Sequence, residues 1–222
     1  MKTNYFSPLL DLFEAYKNDE NAIKMAAYMK NKFSFYGIKS PLRKELQKQF
    51  LSDNGKLPPN IASNEIKEVW NICNREVNYF IQDILRHKRY WENPKSIELT
   101  EWLIVNKSWW DTVDALAVNC AGQFLKLHPE KIEYYNAKWI SSDNIWLIRT
   151  AILFQLKYKE KTNFELLKSN IRLHSHQKEF FIKKSIGWAL REYSKINPST
   201  VIKFLNENEL QNLSIREASK YL

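Results

Sequence analysis

Five side chains of complementary chemistry recur at regular spacing. In the run 107-KSWWDTVDAL-116, Asp114 follows Trp110 by four residues; Arg149 lies 35 residues beyond Asp114, Lys184 lies 35 beyond Arg149, and Trp188 follows Lys184 by four. Residues four apart meet on one helix face. Positions one period apart line the same side of a stack of repeats, so the five form one row across successive helices. Aromatic faces and a carboxylate both favour positive charge, while an arginine and a lysine beside them hold phosphates. The combination suits a nucleotide whose sugar becomes positive as its glycosidic bond breaks, because a carboxylate near that carbon stabilises the oxocarbenium-like state and orients a water. A plainer arrangement uses the same residues: an ion-pair ladder between neighbouring repeats, with tryptophans filling helix packing sites.

Such a row needs helices to carry it. Glycine is scarce, at four residues, and long alternating runs of Val, Thr and Tyr are absent, so the chain reads as all-α. Periodicity and breakers predict helices over 7–18, 20–32, 41–52, 63–73, 75–90, 94–106, 108–127, 130–140, 144–160, 163–173, 177–195 and 199–207, with a short last one near 214–221. Pro41, Pro94, Pro129 and Pro198 sit where a first helical turn tolerates proline. The segment 53-DNGKLPPNIAS-63 is the clearest loop, too short for a domain linker. The 35-residue spacing repeats at Val113/Ile148/Lys183, Leu116/Ala151/Ile186, Ala117/Ile152/Gly187 and Cys120/Gln155/Leu190, which are mostly apolar or small. That period is shorter than a HEAT unit and close to a tetratricopeptide length, but the signature residues of the latter are missing. The expected architecture is a HEAT-like helical-repeat solenoid of about 12–13 helices with a concave basic cleft, in a single domain over 1–222.

Within the helix predicted over 108–127, Trp109, Val113, Leu116, Ala117, Cys120 and Phe124 form an apolar stripe, which assigns Trp109 to the core. Trp110 and Asp114 lie together about 100° round the helix from that stripe. Ser108 with Asp111 three residues later reads as a capping-box-like start, and an acid in the first turn suits the helix dipole. Asp114 is too deep in the helix for either role.

The formal charge of +9, from 34 basic and 25 acidic residues, points to a polyanionic partner such as DNA or RNA, though a lysine-rich surface is also simply solvated. The runs 86-RHKRYW-91 and Lys183-Lys184 are the densest basic stretches. Cys73 and Cys120 lack ligand spacing and read as small buried residues in a reducing compartment, and His87, His128, His174 and His176 are scattered. No metal and no cofactor are expected. The N-terminus has no signal-peptide core and no apolar run approaches a membrane span. A cytoplasmic protein without membrane contact, associated with the nucleoid when bound to DNA, is expected.

The pieces 25-MAAYMKNKFSFYGIKSPLRKEL-46, 107-KSWWDTVDAL-116, 146-WLIRTAIL-153 and 185-SIGWALREYSK-195 resemble the DNA alkylation repair enzymes of the AlkD type, bacterial DNA glycosylases built of HEAT-like repeats. The resemblance spans nearly the whole chain with its motifs in order. It implies base excision of N3- and N7-alkylated purines, such as 3-methyladenine and 7-methylguanine, from duplex DNA. These bases carry positive charge, so the leaving group needs no general acid, and the lesion is understood to stay in the duplex rather than flip into a pocket. By the same resemblance, Asp114 matches the catalytic carboxylate, Trp110 and Trp188 the aromatics flanking the sugar, and Arg149 an arginine that contacts the backbone. Tyr28 looks like a residue approaching the duplex, or else a helix-packing tyrosine. Lys39 stands where the resemblance leads one to expect a glutamine. Lys184 comes from repeat register alone and is assigned to phosphate binding. The implied reaction is simple hydrolysis, and a repeat solenoid of this size is expected to work as a monomer. The competing readings are a non-catalytic DNA-binding member and a helical-repeat scaffold for an acidic protein, and an Asp114 sealed from solvent by Arg149 would favour the scaffold.

Overall fold

Asparagine starts several of the helices. The side chains of Asn18, Asn144, Asn163 and Asn197 each accept a backbone N–H from the turn that follows, at 2.9, 2.9, 3.0 and 3.1 Å, satisfying donors that a helix start leaves unpaired. The structure, a computed structural model, describes residues 5–58 and 63–222, without the side chains of Lys88 and Arg89. The middle of the loop predicted over 53–63 and part of the basic run 86–91 therefore lie outside the described residues. No strand occurs among the described residues, and the fold is an all-α helical repeat, as the sequence predicts. No helix among them is long and apolar enough to cross a membrane.

The chain divides into two compact units, Met1–Arg86 and His87–Leu222. The first holds α1 (Ser7–Ala15), α2 (Asp19–Tyr28), α3 (Ser40–Asn54), α4 (Ser63–Trp70) and α5 (Arg75–Ile84). Phe6, Phe13, Phe50 and Phe80 are fully buried at its centre, with Phe50 and Phe80 edge to face at 5.3 Å. The connection from α2 to α3 is tied to α5 by the buried Glu76, whose carboxylate accepts the backbone N–H groups of Tyr36, Gly37 and Ile38 at 3.1, 2.9 and 3.1 Å. Burial pushes the Glu76 carboxyl above its ordinary value, and the backbone donors oppose the shift. Gly37 has φ +84, and a Cβ there would meet the Asn18 carbonyl oxygen at 2.0 Å. Only glycine lets this loop lie against the start of α2.

The second unit holds α6 (Lys88–Trp91), α7 (Ser96–Val105), α8 (Trp110–Leu116), α9 (Gly122–Leu127), α10 (Ile132–Ile140), α11 (Ile145–Leu153), α12 (Phe164–Leu173), α13 (Phe180–Ser194), α14 (Pro198–Glu207) and α15 (Asn212–Ala218). Its side chains show the repeat directly. Trp139 bonds Glu101, Tyr158 bonds Gly122, Asn170 bonds Asn136, His174 bonds Ile140 and Arg172 bonds Asn208, each across 34 to 38 residues. Such spacing is what stacked units of one length produce. Between α8 and α9 the helix passes through a π turn over Ala117–Ala121, where the Gly122 N–H reaches the Ala117 carbonyl five residues back.

Several boundaries differ from those predicted. The helix expected over 75–90 breaks after Ile84, at the junction of the two units. The one expected over 144–160 stops at Leu153. There the Gln155 amide turns to the Asn163 backbone, accepting its N–H at 2.8 Å, and the Tyr158 hydroxyl donates to the Gly122 carbonyl at 2.5 Å.

Candidate active site

The turn from α7 into α8 separates the two tryptophans. Lys107 takes φ +52 and Trp109 is extended, with φ −159 and ψ 160, so the helix begins at Trp110. The expected cap on Ser108 does not form, because its hydroxyl turns back to the Ile104 carbonyl of α7 at 2.6 Å. Asp111 remains in the first turn, where the dipole favours it. Trp109 is half-buried rather than core. It packs edge to face on Phe181, with centroids 4.9 Å apart, and on Trp146 at 5.8 Å.

Asp114, one turn into α8, meets Arg149, one turn into α11. Arg149 Nε donates to Oδ1 at 2.7 Å and Nη2 to Oδ2 at 2.8 Å, a two-point fork that fixes the plane of the carboxylate. Arg149 Nη1 also donates to the Phe181 carbonyl at the start of α13. The pair is unequally covered. The Arg149 side chain is 5% exposed and that of Asp114 is 17% exposed, so the end nearer solvent is the negative one.

Arg149 lines a hollow of about 270 Å³ together with Trp110, Phe181 and a single stripe of α13. That stripe is Phe180, Lys184, Trp188 and Arg191, at steps of four, four and three that keep one helix face. The Lys184 ammonium lies 5.9 Å from the Phe180 ring centroid. Glu217 from α15 completes the lining. Its Oε1 accepts from Lys184 Nζ at 2.8 Å, and its Oε2 from Arg191 Nη1 at 3.0 Å and Lys220 Nζ at 2.8 Å. Hydrogen bonds from Lys184 and Lys220 hold the Glu217 carboxyl down at about 2.

Residues 9–222 match the family described as DNA alkylation repair enzyme. The chain belongs to that family. A solved structure described as a predicted DNA alkylation repair enzyme from Enterococcus faecalis is similar to it at 38% identity and a TM-score of 0.83, over 93% of this chain and 96% of that one. No curated protein matches the chain. Membership in the DNA alkylation repair enzyme family carries with it an enzyme role in DNA repair, and hence DNA as the partner.

For a DNA alkylation repair enzyme, the predicted site residues fall in two places. Trp110, Asp114, Arg149, Lys184 and Trp188 come together around one hollow or bond directly to its lining. Tyr28 and Lys39 belong to the first unit. Tyr28, the last residue of α2, is 71% exposed. Lys39 is exposed at the start of α3 and borders a broad hollow with Tyr16, Lys17 and Asn21. Phe180, Arg191 and Glu217 were not foreseen. The first two continue the Lys184–Trp188 stripe by helical steps, and Glu217 follows Lys184 by 33 residues, nearly one more period.

The Glu217 cluster predicts an acid limb in stability. Its carboxyl falls from an ordinary 4.5 to about 2 on folding, so the contribution is complete above about pH 4.5 and is lost as pH falls through about 2. Urea unfolding of wild type and Glu217→Gln across this range should show a difference that shrinks steadily toward acid. A difference independent of pH would refute the ionic origin.

Proposed function

We propose that this chain, acting over its whole length as a monomer, hydrolyses the N-glycosidic bond of cationic N3- and N7-alkylated purines, among them 3-methyladenine and 7-methylguanine, in duplex DNA. The observation that carries this reading is the unequal burial of the Asp114–Arg149 pair beside two tryptophan walls. A pair of charges acts as a dipole, and here its negative end is the one nearer solvent. Trp110, on the same helix face one turn earlier, and Trp188, which lines the same hollow, add aromatic faces that also attract a cation. A sugar that gains positive charge as the base departs is therefore stabilised more than the neutral sugar before it, and that difference is what accelerates a reaction.

Asp114 keeps further lone pairs on both oxygens beyond the two that Arg149 occupies, enough to orient an attacking water. The base already carries positive charge and leaves without a proton. Arg149 holds the carboxylate in place, and its Nη1 and Nη2 each have a second N–H with which to meet a backbone phosphate. Lys184 supplies a further phosphate contact. Tyr28 and Lys39 add grip on the duplex from the first unit. In this reading the damaged nucleotide is contacted at its sugar and phosphates, and the base stays in the duplex.

The test is base release from a duplex oligonucleotide with a single 7-methylguanine, with abasic sites revealed by alkali. Release from this duplex, and none from one carrying guanine at the same position, is expected. Tight binding of the damaged duplex without release would replace the glycosylase with a non-catalytic DNA-binding protein.

A further inference from the structure

One carboxylate in the hollow serves three cations. Lys184, Arg191 and Lys220 all bond Glu217 at 2.8 to 3.0 Å, three positive charges against one negative. Such cations repel one another, and side chains as long as these would otherwise spread into solvent. Lys184 and Arg191 both line the hollow, and Trp188 stands between them on the same face of α13.

The carboxylate can reach them because α15 lies very close to α13. A Cβ on Gly187 would meet the Glu217 Cβ at 2.4 Å and the Ser214 carbonyl oxygen at 2.8 Å, so glycine permits the approach. Ser214 Oγ, donating to the Lys183 carbonyl at 3.0 Å, fixes the register. Glu217 is thereby buried against the helix whose basic side chains it gathers.

We infer that Glu217 is a positioning residue that holds Lys184 and Arg191 as a two-point clamp for one phosphate of a sugar-phosphate strand, next to Trp188. This rests on DNA as the occupant of the hollow. The clamp would fix the strand where Trp188 meets the adjoining sugar, with the surplus charge left for the phosphate.

The sign of one effect separates positioning from net charge. Removing a negative charge beside DNA should tighten binding if charge alone matters, and should weaken it if the carboxylate holds the clamp together. The experiment is fluorescence anisotropy of an undamaged labelled duplex with wild type and Glu217→Gln across a range of salt concentrations. Glu217→Gln is expected to bind about tenfold more weakly, with a log Kd against log salt slope smaller by about one to two contacts. Tighter or unchanged binding would overturn the inference. Should Glu217→Gln fail to fold, Lys184→Ala and Lys220→Ala, which lose the same charge, serve in its place: the first, which lines the hollow, should weaken binding more than the second and reduce the slope by about one, and equal effects would overturn it. The assay requires no base release, so it is independent of the glycosylase reading. Absence of any duplex binding by the wild type would overturn the clamp, and base release from the 7-methylguanine duplex would still decide the glycosylase reading by itself.

Discussion

Asp114→Asn is expected to lower base release from the 7-methylguanine duplex by at least about 100-fold while binding of that duplex stays the same or tightens. The substitution keeps the size of the side chain and removes the charge. Whatever the cationic sugar gains from the negative end of the Asp114–Arg149 pair is lost in the transition state, whereas the ground state, with a neutral sugar, loses little. Binding benefits from one less repulsion between carboxylate and phosphate. The amide also turns an N–H toward Arg149, so some stability is lost, and single-turnover assays belong at a temperature where circular dichroism shows the variant folded. Release at the wild-type rate would refute the role of Asp114.

The second large effect is on stability. Arg149→Met should lower the free energy of unfolding by about 3–5 kcal/mol, because it leaves the Asp114 carboxylate half-buried without its partner. It also removes the link from α11 to the Phe181 carbonyl at the start of α13. Base release should fall with it, since the carboxylate loses both fork contacts that fix its plane. The informative variant is the double one. Asp114→Asn with Arg149→Met removes both charges, and replacing a whole buried pair costs far less than stranding one member, so much of the lost stability should return while activity stays absent. Urea titrations of the four proteins measure this directly. Additive losses would show that the two side chains are not energetically coupled.

That the five candidate residues come together was legible in the sequence, because helical steps of four share a face and stacked units of one length return a side chain to the same side, and Asp114 and Arg149 do bond across 35 residues. What escaped was decided by competing contacts. Ser108 has the residue type and spacing of a helix cap, yet the Ile104 carbonyl takes its hydroxyl, and helix geometry starts two residues later at Trp110. The pattern over 144–160 remains helical past Leu153, but Gln155 and Tyr158 are drawn to partners on other segments. Glu217 was hidden for a related reason. An acid on a polar terminal helix reads as solvated surface until α15 is seen to press against Gly187.

The π turn over Ala117–Ala121 has a consequence for what this helix can tolerate. It accommodates one surplus residue between the turns that carry Trp110 and Asp114 and those that anchor Phe124 and Leu125 in the core. The wider turn absorbs that residue, which in an uninterrupted α-helix would rotate everything beyond it by about 100°. Losing a single residue there would let the turn close into ordinary α-helix with the carboxylate still facing Arg149, whereas gaining a second would swing it a quarter turn or more away. For this segment, residue count is as much a part of the site as residue identity.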